Sequence, residues 1–274
     1  MRKRTALVGG LLAIVGFVIA YNALVERRGG GQSPSVNQTS EPKGPTTTPG
    51  GLAFKPASLL YWPSSLEGAE VATGEYTERN LVVVLDDSGS MGSSCGDVVK
   101  MSAAKRALQS FVGSLPQTEN LGLVALNDTD DQGSHVLVPI GHGAANRQDF
   151  LDAVDRIIAN GNTPLGRAIE DAERMLEDRG RSQLGYGEYR LVVVTDGQAS
   201  DGDRMKQVVD RLLTQTPVRI FTIGFCIDEG HALNRPGWTN YRTARTVQEL
   251  IAGLAEAQAE ADDYAPITSF PGKI

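Results

Sequence analysis

The chain has 274 residues, of which 41% are hydrophobic and 22% are charged. This composition is sufficient for one full-sized globular domain with appendages. The formal net charge of −7 argues against a nucleic-acid partner, because phosphate binding requires a surplus of lysine and arginine on one face.

The first 28 residues are predicted to form a basic start followed by a transmembrane anchor. Residues 5–25 contain no charged residue, and about 20 apolar residues suffice to cross the hydrocarbon core. The basic residues at positions 2–4 outweigh those at 26–28, so we expect a cytoplasmic N-terminus and a single pass through the inner (plasma) membrane. The rest of the chain would then be extracytoplasmic, in the periplasm. A cleaved signal peptide, which would release a secreted protein, is the alternative.

The remaining chain divides into four predicted segments. Residues 29–54 are rich in Pro, Gly, Ser and Thr, which cannot bury enough apolar surface to fold, and are predicted to be a flexible linker. Residues 55–79 are predicted to be a lead-in segment packed on the domain. The domain itself is assigned to residues 80–262, and residues 263–274 form a C-terminal tail.

Apolar strands and amphipathic helices alternate through the domain. Residues 81–85 are a continuous apolar run, typical of a strand buried on both faces. Further strands are predicted at 121–127, 135–140, 189–197 and 218–225, the first two of which are joined as a hairpin by a polar turn. Helices are predicted at 98–115, 147–159, 164–179, 203–215 and 247–261. In the second helix, one apolar face is assigned to Phe150, Leu151, Val154, Ile157 and Ile158.

This order of elements predicts an α/β fold with a doubly wound, mostly parallel sheet. The hairpin supplies one antiparallel edge strand, and helices cover both faces. In such folds ligands bind beyond the carboxyl ends of the strands, where the strand order reverses. Two of the predicted strands end in polar motifs at this edge, "DDSGS" and "TDGQ".

Three loops supply hard oxygen groups to that edge. The first contains Asp86, Ser88 and Ser90 at alternate positions, the second contains Thr163 just before a helix, and the third contains Asp196. Carboxylates and hydroxyls without thiol or imidazole suit a hard divalent cation such as Mg²⁺, with Mn²⁺ or Ca²⁺ as alternatives. Two carboxylates and three hydroxyls would leave at least one of six coordination positions open. Any one of these loops alone is better explained as a helix cap or a turn.

The three motifs together resemble the von Willebrand factor A domain family. "DDSGS", the threonine of "NTPLG" and the aspartate of "VVTDG" match the family's metal-ion-dependent adhesion site in order and approximate spacing. The resemblance covers roughly residues 80–261. The sequence "NTPLG" is similar to that found in the bacterial branch of the family. It implies the family's Rossmann-like fold with an intact adhesion site.

The resemblance also implies a role for each site residue. Ser88, Ser90 and Thr163 would be direct or near-direct ligands of the cation. Asp86 and Asp196 would act largely through bound water. An Asp or Glu carboxylate from a partner protein would complete the coordination, so the protein would mediate metal-dependent protein–protein interaction or adhesion and would not be an enzyme.

Two other functions fit the same residues. A metal-assisted hydrolase could use the same aspartates, although the sequence shows no evident general base near them. A passive envelope scaffold could use the cation only to stiffen its fold. The chain lacks the phosphate-binding "GxxxxGK" pattern. Neither Ser88 nor Ser90 has the glycine spacing of a nucleophile elbow, because the residue two positions earlier is Asp86 in one case and Ser88 in the other.

Two cysteines and two aromatic residues complete the set of candidate site residues. Cys95 follows the first motif and Cys226 follows a predicted strand, and an extracytoplasmic location favours a disulfide between them that would brace the site loops. Cys226 as a buried free thiol is the alternative. Trp238 and Tyr241 lie in a polar segment expected at the same edge and are candidate partner contacts, with packing on the domain as the alternative for Trp238.

Overall fold

The computed structural model of the chain describes residues 62–66, 78–127 and 135–262. The predicted anchor, the linker, the C-terminal tail and the polar turn of the hairpin lie outside these residues. Within the described ranges, no helix is both long and apolar enough to cross a membrane.

Six strands form the central sheet, in the order β5–β4–β1–β6–β7–β8. They are β1 (Arg79–Leu85), β4 (Asn120–Ala125), β5 (His135–Gly141), β6 (Glu188–Thr195), β7 (Arg219–Phe225) and β8 (Asn240–Ala244). Neighbouring strands are parallel except for β4 and β5, which are antiparallel. A separate short hairpin pairs β2 (Ser94–Cys95) with β3 (Val98–Val99). The predicted mostly parallel sheet with one antiparallel edge strand is confirmed.

Five α-helices of the described ranges cover the two faces of the sheet. They are α1 (Lys100–Ser114), α2 (Gly143–Arg156), α3 (Leu165–Ser182), α4 (Gly202–Gln215) and α5 (Val247–Asp262). Alternate residues of β1 enter opposite cores, as the two-residue period of a strand requires. Leu81 and Val83 pack in the core lined by α1, α2 and α5, whereas Val82 and Val84 pack in the core lined by α3 and α4.

The structure corrects three details of the predicted elements. The first helix begins at Lys100, because Val98 and Val99 pair in β3. The second helix ends at Arg156, so Ile157 is buried beyond its end and Ile158 is 79% exposed. The assignment of Ile158 to the apolar face was therefore wrong. Strand β8 was missed, because its sequence is polar and it lies at the edge of the sheet.

Trp62 packs at the end of the sheet where the parallel strands begin. Its ring meets the ring of Tyr189, near the start of β6, edge-on with the centroids 4.4 Å apart. It also lies over Gly180 of α3, where an added Cβ atom would come within 2.4 Å of the ring carbon Cη2. Trp62 therefore packs on the domain at the pole opposite the carboxyl ends of the strands.

The contact between Trp62 and Gly180 predicts opposite effects for two Gly→Ala substitutions near helix ends. Gly113→Ala in α1 meets no atom within 4 Å and should stabilise the domain by up to about 1 kcal/mol, because alanine favours helix. Gly180→Ala should instead destabilise it by about 1–2 kcal/mol, because the methyl group displaces Trp62. Urea denaturation of residues 51–274 measures both changes, and equal stabilisation by the two variants would contradict the packing described.

Candidate metal centre

Four of the five predicted site residues are linked by hydrogen-bond contacts at the carboxyl edge of the sheet. They are Asp86, Ser88, Ser90 and Asp196. Asp86 follows β1 and Asp196 follows the neighbouring strand β6. The Ser90 hydroxyl donates to Asp196 Oδ1 at 2.7 Å, and the Ser88 and Ser90 hydroxyls lie 3.0 Å apart. The structure thus places a continuous row of oxygens from Ser88 to Asp196.

Backbone hydrogen bonds hold the three loops together. The Asn160 N–H donates to the Asp87 carbonyl at 2.7 Å and joins the second loop to the first. The Ser200 N–H donates to the Thr163 carbonyl at 2.8 Å and joins the third loop to the second. Thr163, the fifth predicted residue, is therefore joined through its backbone carbonyl to the third loop.

Asp86 is fully buried beneath this row of oxygens. Its Oδ1 accepts the Ser88 N–H at 2.9 Å, and its Oδ2 accepts the Thr195 hydroxyl at 2.6 Å. Burial raises the pKa of Asp86 above its ordinary value, although these hydrogen bonds oppose the shift. The carboxylate is thus held in a single orientation at a cost that a nearby cation would offset.

Asp87, the second aspartate of the motif, has a structural role. Its Oδ1 accepts the backbone N–H groups of Leu126 and Asn127, each at 3.0 Å, and so anchors the chain as it leaves β4. Burial raises the pKa of Asp87 to about 6. Sequence reasoning did not assign this role, because an aspartate that follows a strand gives no signal that distinguishes a ligand from an anchor.

Lys100 is a further residue of the centre that sequence reasoning missed. Its ammonium group lies 2.7 Å from Asp196 Oδ2, the oxygen that Ser90 leaves free. The Asp196 side chain is fully buried in this arrangement and the Lys100 side chain is 13% exposed. Both oxygens of Asp196 are thus engaged, one by a hydroxyl and one by a full positive charge.

The groups present fit a hard divalent cation. Within the described ranges, no three His, Cys, Asp or Glu side chains are grouped to hold a metal, so a cation here must also use the serine and threonine hydroxyls. Hydroxyl and carboxylate oxygens are the ligands that Mg²⁺, Mn²⁺ and Ca²⁺ prefer. Asp86 and Asp196 place two carboxylates at this edge, and Lys100 is paired with Asp196, so the remaining negative charge favours cation binding.

A disulfide between Cys95 and Cys226 braces the same edge. Cys95 lies in the β2–β3 hairpin, directly after the serine motif, and Cys226 directly follows β7. Their Cα atoms are 6.2 Å apart across a sequence separation of 131 residues. The bond therefore fixes the hairpin that leads into α1, and with it Lys100, to the end of β7.

The segment after Cys226 packs on the third loop through His231. The Leu233 N–H donates to His231 Nδ1 at 3.1 Å, so Nε2 carries the proton and donates to the Gly197 carbonyl at 2.9 Å. Burial lowers the pKa of His231 and favours this neutral form. His231 is therefore a structural histidine that docks the segment beside Asp196.

The two candidate partner contacts are half-buried in this segment and the strand that follows it. Trp238 and Tyr241 both pack against the core lined by α3 and α4. The Tyr241 hydroxyl donates to the Asp228 carbonyl at 3.2 Å, and its ring stacks on His231 with centroids 6.0 Å apart. Packing on the domain, the alternative for Trp238, is thus observed, and a partner contact by either residue stays a prediction.

Comparison with known proteins settles the family. The model of the von Willebrand factor type A domain matches residues 80–252, more than half of the chain. The chain belongs to this family. The YwmC protein of Bacillus subtilis (strain 168) is 25% identical over 185 residues, which cover 62% of this chain and 79% of that protein.

Solved structures share the fold of this von Willebrand factor A domain. A von Willebrand factor type A protein from Catenulispora acidiphila superposes with a TM-score of 0.55 at 20% identity, over 68% of this chain and 43% of that one. The pilus adhesin SpaC from Lactobacillus rhamnosus GG gives 0.52 at 16% identity, over 71% and 31%. The chain thus spans less than half the length of either protein, and at these identities the likeness shows the fold alone.

The neutral His231 predicts a loss of stability on acidification. Because its folded pKa is lowered, its contribution to the free energy of unfolding is complete above the ordinary histidine pKa of about 6.5 and is lost as the pH falls through the folded value. The raised pKa values of Asp86 and Asp87 act in the opposite direction, so the difference between parent and His231→Gln isolates the histidine. In urea denaturation with chelator, the variant should lose less stability than the parent between about pH 7.5 and 5. Equal losses would contradict the assignment.

Proposed function

We propose that this domain binds a divalent cation between its three loops and uses it to hold an acidic side chain of a partner protein. The observation that carries the proposal is the row of oxygens from Ser88 through Ser90 to Asp196, set above a buried Asp86. Members of the family act generally as adhesion and interaction modules rather than enzymes, which supports this reading.

Some residues of the centre would bind the cation, and others position the groups that bind it. Ser88, Ser90 and Thr163 would hold the cation through their hydroxyls, and Asp86 and Asp196 would act largely through water. When bound, Mg²⁺, Mn²⁺ or Ca²⁺ supplies an open coordination position that an Asp or Glu carboxylate can fill. Asp86 accepts the Ser88 N–H and so fixes the first loop, while Thr195 holds the other oxygen of Asp86 in place.

The hydrolase alternative is weakened by the environment of His231. This imidazole packs on the third loop beside Asp196, but one ring nitrogen accepts a backbone N–H and the other donates to a carbonyl. It therefore has no free nitrogen with which to activate water.

The scaffold alternative makes a different prediction from ours, since a cation that only stiffens the fold would not respond to a carboxylate.

The anchor predicted for residues 1–28 and the flexible linker predicted for residues 29–54 support a domain tethered to a membrane. Trp62, the first residue that the structure describes, packs at the pole opposite the metal centre. An anchored chain of this kind would present the cation to partners outside the cytoplasm. We therefore propose a membrane-tethered, periplasmic interaction domain of the bacterial type.

The metal centre predicts Mn²⁺ binding that responds to a carboxylate. Residues 51–274 should bind Mn²⁺ saturably and enhance the relaxation of water protons. A short peptide with one glutamate should lower this enhancement by displacing water from the cation, whereas its glutamine counterpart should not. Ser88→Ala should weaken Mn²⁺ binding at least about tenfold, because a ligand is lost.

Ser94→Ala is the matched control, since it makes the same change in the exposed hairpin that follows the motif and should bind Mn²⁺ like the parent. Absence of binding in a folded parent would refute the metal centre. Binding that stabilises the domain but ignores the glutamate peptide would instead favour the scaffold alternative.

The proposed anchor predicts the fractionation of the full chain. Expressed in bacterial cells, the full chain should remain in the membrane pellet after an alkaline carbonate wash, because an apolar segment of about 20 residues holds it in the bilayer. Residues 51–274 should be soluble. Recovery of a shortened chain in the soluble periplasmic fraction would replace the anchor with a cleaved signal peptide.

A further inference from the structure

We propose that Lys100 is a built-in cation of the centre: it balances Asp196 in the metal-free domain and thereby limits how tightly a divalent cation binds. This inference rests on the metal centre proposed above and assigns a new residue to its regulation. The ammonium lies 2.7 Å from Asp196 Oδ2, and the carboxylate that it contacts is fully buried.

The backbone fixes Lys100 in this position. Lys100 is the first residue of α1, and its N–H donates at 3.0 Å to the carbonyl of Ser93, which follows the serine motif. The hairpin just before it is tied to β7 by the Cys95–Cys226 disulfide. Its side chain is therefore directed to Asp196 by the same loop that carries Ser88 and Ser90.

The ammonium and a divalent cation would compete for the same negative charge. Ser90 donates to one oxygen of Asp196 and Lys100 is paired with the other, so a cation held by Ser90 would lie close to a positive charge. Like charges repel more strongly in a partly buried site than in water. The lysine should therefore weaken cation binding relative to a neutral residue at position 100.

Removal of the lysine charge should lower the stability of the metal-free domain, although it strengthens cation binding. Without Lys100, the buried carboxylate of Asp196 keeps only the hydroxyl of Ser90, and a buried charge that loses its partner is destabilising. A bound divalent cation would replace the lost positive charge. A lysine with a purely structural role would lower stability in both states and would not strengthen cation binding.

Lys105 provides the matched control. It lies on the same helix, and its ammonium donates to the Asp155 carbonyl at 2.7 Å, a backbone group outside the metal centre. Lys105→Gln therefore makes the same chemical change without altering the charge beside Asp196. Lys100→Arg keeps the charge, and Lys100→Gln removes it while leaving an amide that can still donate to Asp196.

The experiment is a calorimetric titration of Mn²⁺ into residues 51–274 and these three variants, with thermal melts in chelator and in saturating Mn²⁺. We expect Lys100→Gln to bind Mn²⁺ about tenfold more tightly or better, and to melt lower than the parent in chelator but not in saturating Mn²⁺. Lys105→Gln and Lys100→Arg should bind within about twofold of the parent.

The outcomes separate this inference from the proposal on which it rests. If the parent binds Mn²⁺ and Lys100→Gln binds no more tightly, the role of Lys100 is refuted and the metal centre stands. If neither the folded parent nor folded Lys100→Gln binds Mn²⁺, the metal centre itself is refuted, and this inference with it. If only Lys100→Gln binds, the lysine charge blocks the centre in the native domain, which refutes both cation binding by the parent and a role of Lys100 limited to setting its affinity.

Discussion

A carboxylate buried at the end of the central strand is the constraint on which the rest of the centre depends. Strand β1 lies between β4 and β6, so Asp86 enters the interior at the middle of the sheet, where water cannot solvate it. Such a charge is tolerated only with hydrogen bonds and nearby positive charge. The Ser88 N–H and the Thr195 hydroxyl supply the first, and their geometry determines the course of the serine loop.

Lys100 supplies positive charge to one carboxylate of the centre. Asp86 and Asp87 both have raised pKa values because of burial, and Lys100 is directed at Asp196 rather than at either of them. If the centre binds a cation as we propose, the domain should be more stable with the cation present, because any ligand that binds only the folded state shifts the folding equilibrium toward it. Cation binding and the order of the three loops are therefore expected to be coupled.

The sequence predicted the parts of this protein that depend on apolar periodicity. The buried runs of β1 and β6 and the faces of α1 and α3 are visible in windows of a few residues, and the strand ends then locate Asp86 and Asp196. The pairing of Lys100 with Asp196 spans 96 residues and leaves no local pattern. The same limit explains Asp87, whose partners Leu126 and Asn127 are distant in sequence, and the polar edge strand β8, whose pairing with β7 sequence alone does not reveal.

The opposite pole of the sheet shows why polar residues at a strand end do not by themselves identify a site. Buried and half-buried carboxylates also occur there, but each is matched by a guanidinium, in the pairs Arg179–Glu78, Arg190–Glu119 and Arg219–Glu188. Arg190 also donates to the Ala257 carbonyl at 2.7 Å and so ties the end of α5 to the sheet. Charge at that pole is balanced and joins structural elements to one another. At the carboxyl edge Lys100 is paired with Asp196, whereas Asp86 is held by the Ser88 N–H and the Thr195 hydroxyl, and this difference between the two poles supports the cation site that we propose.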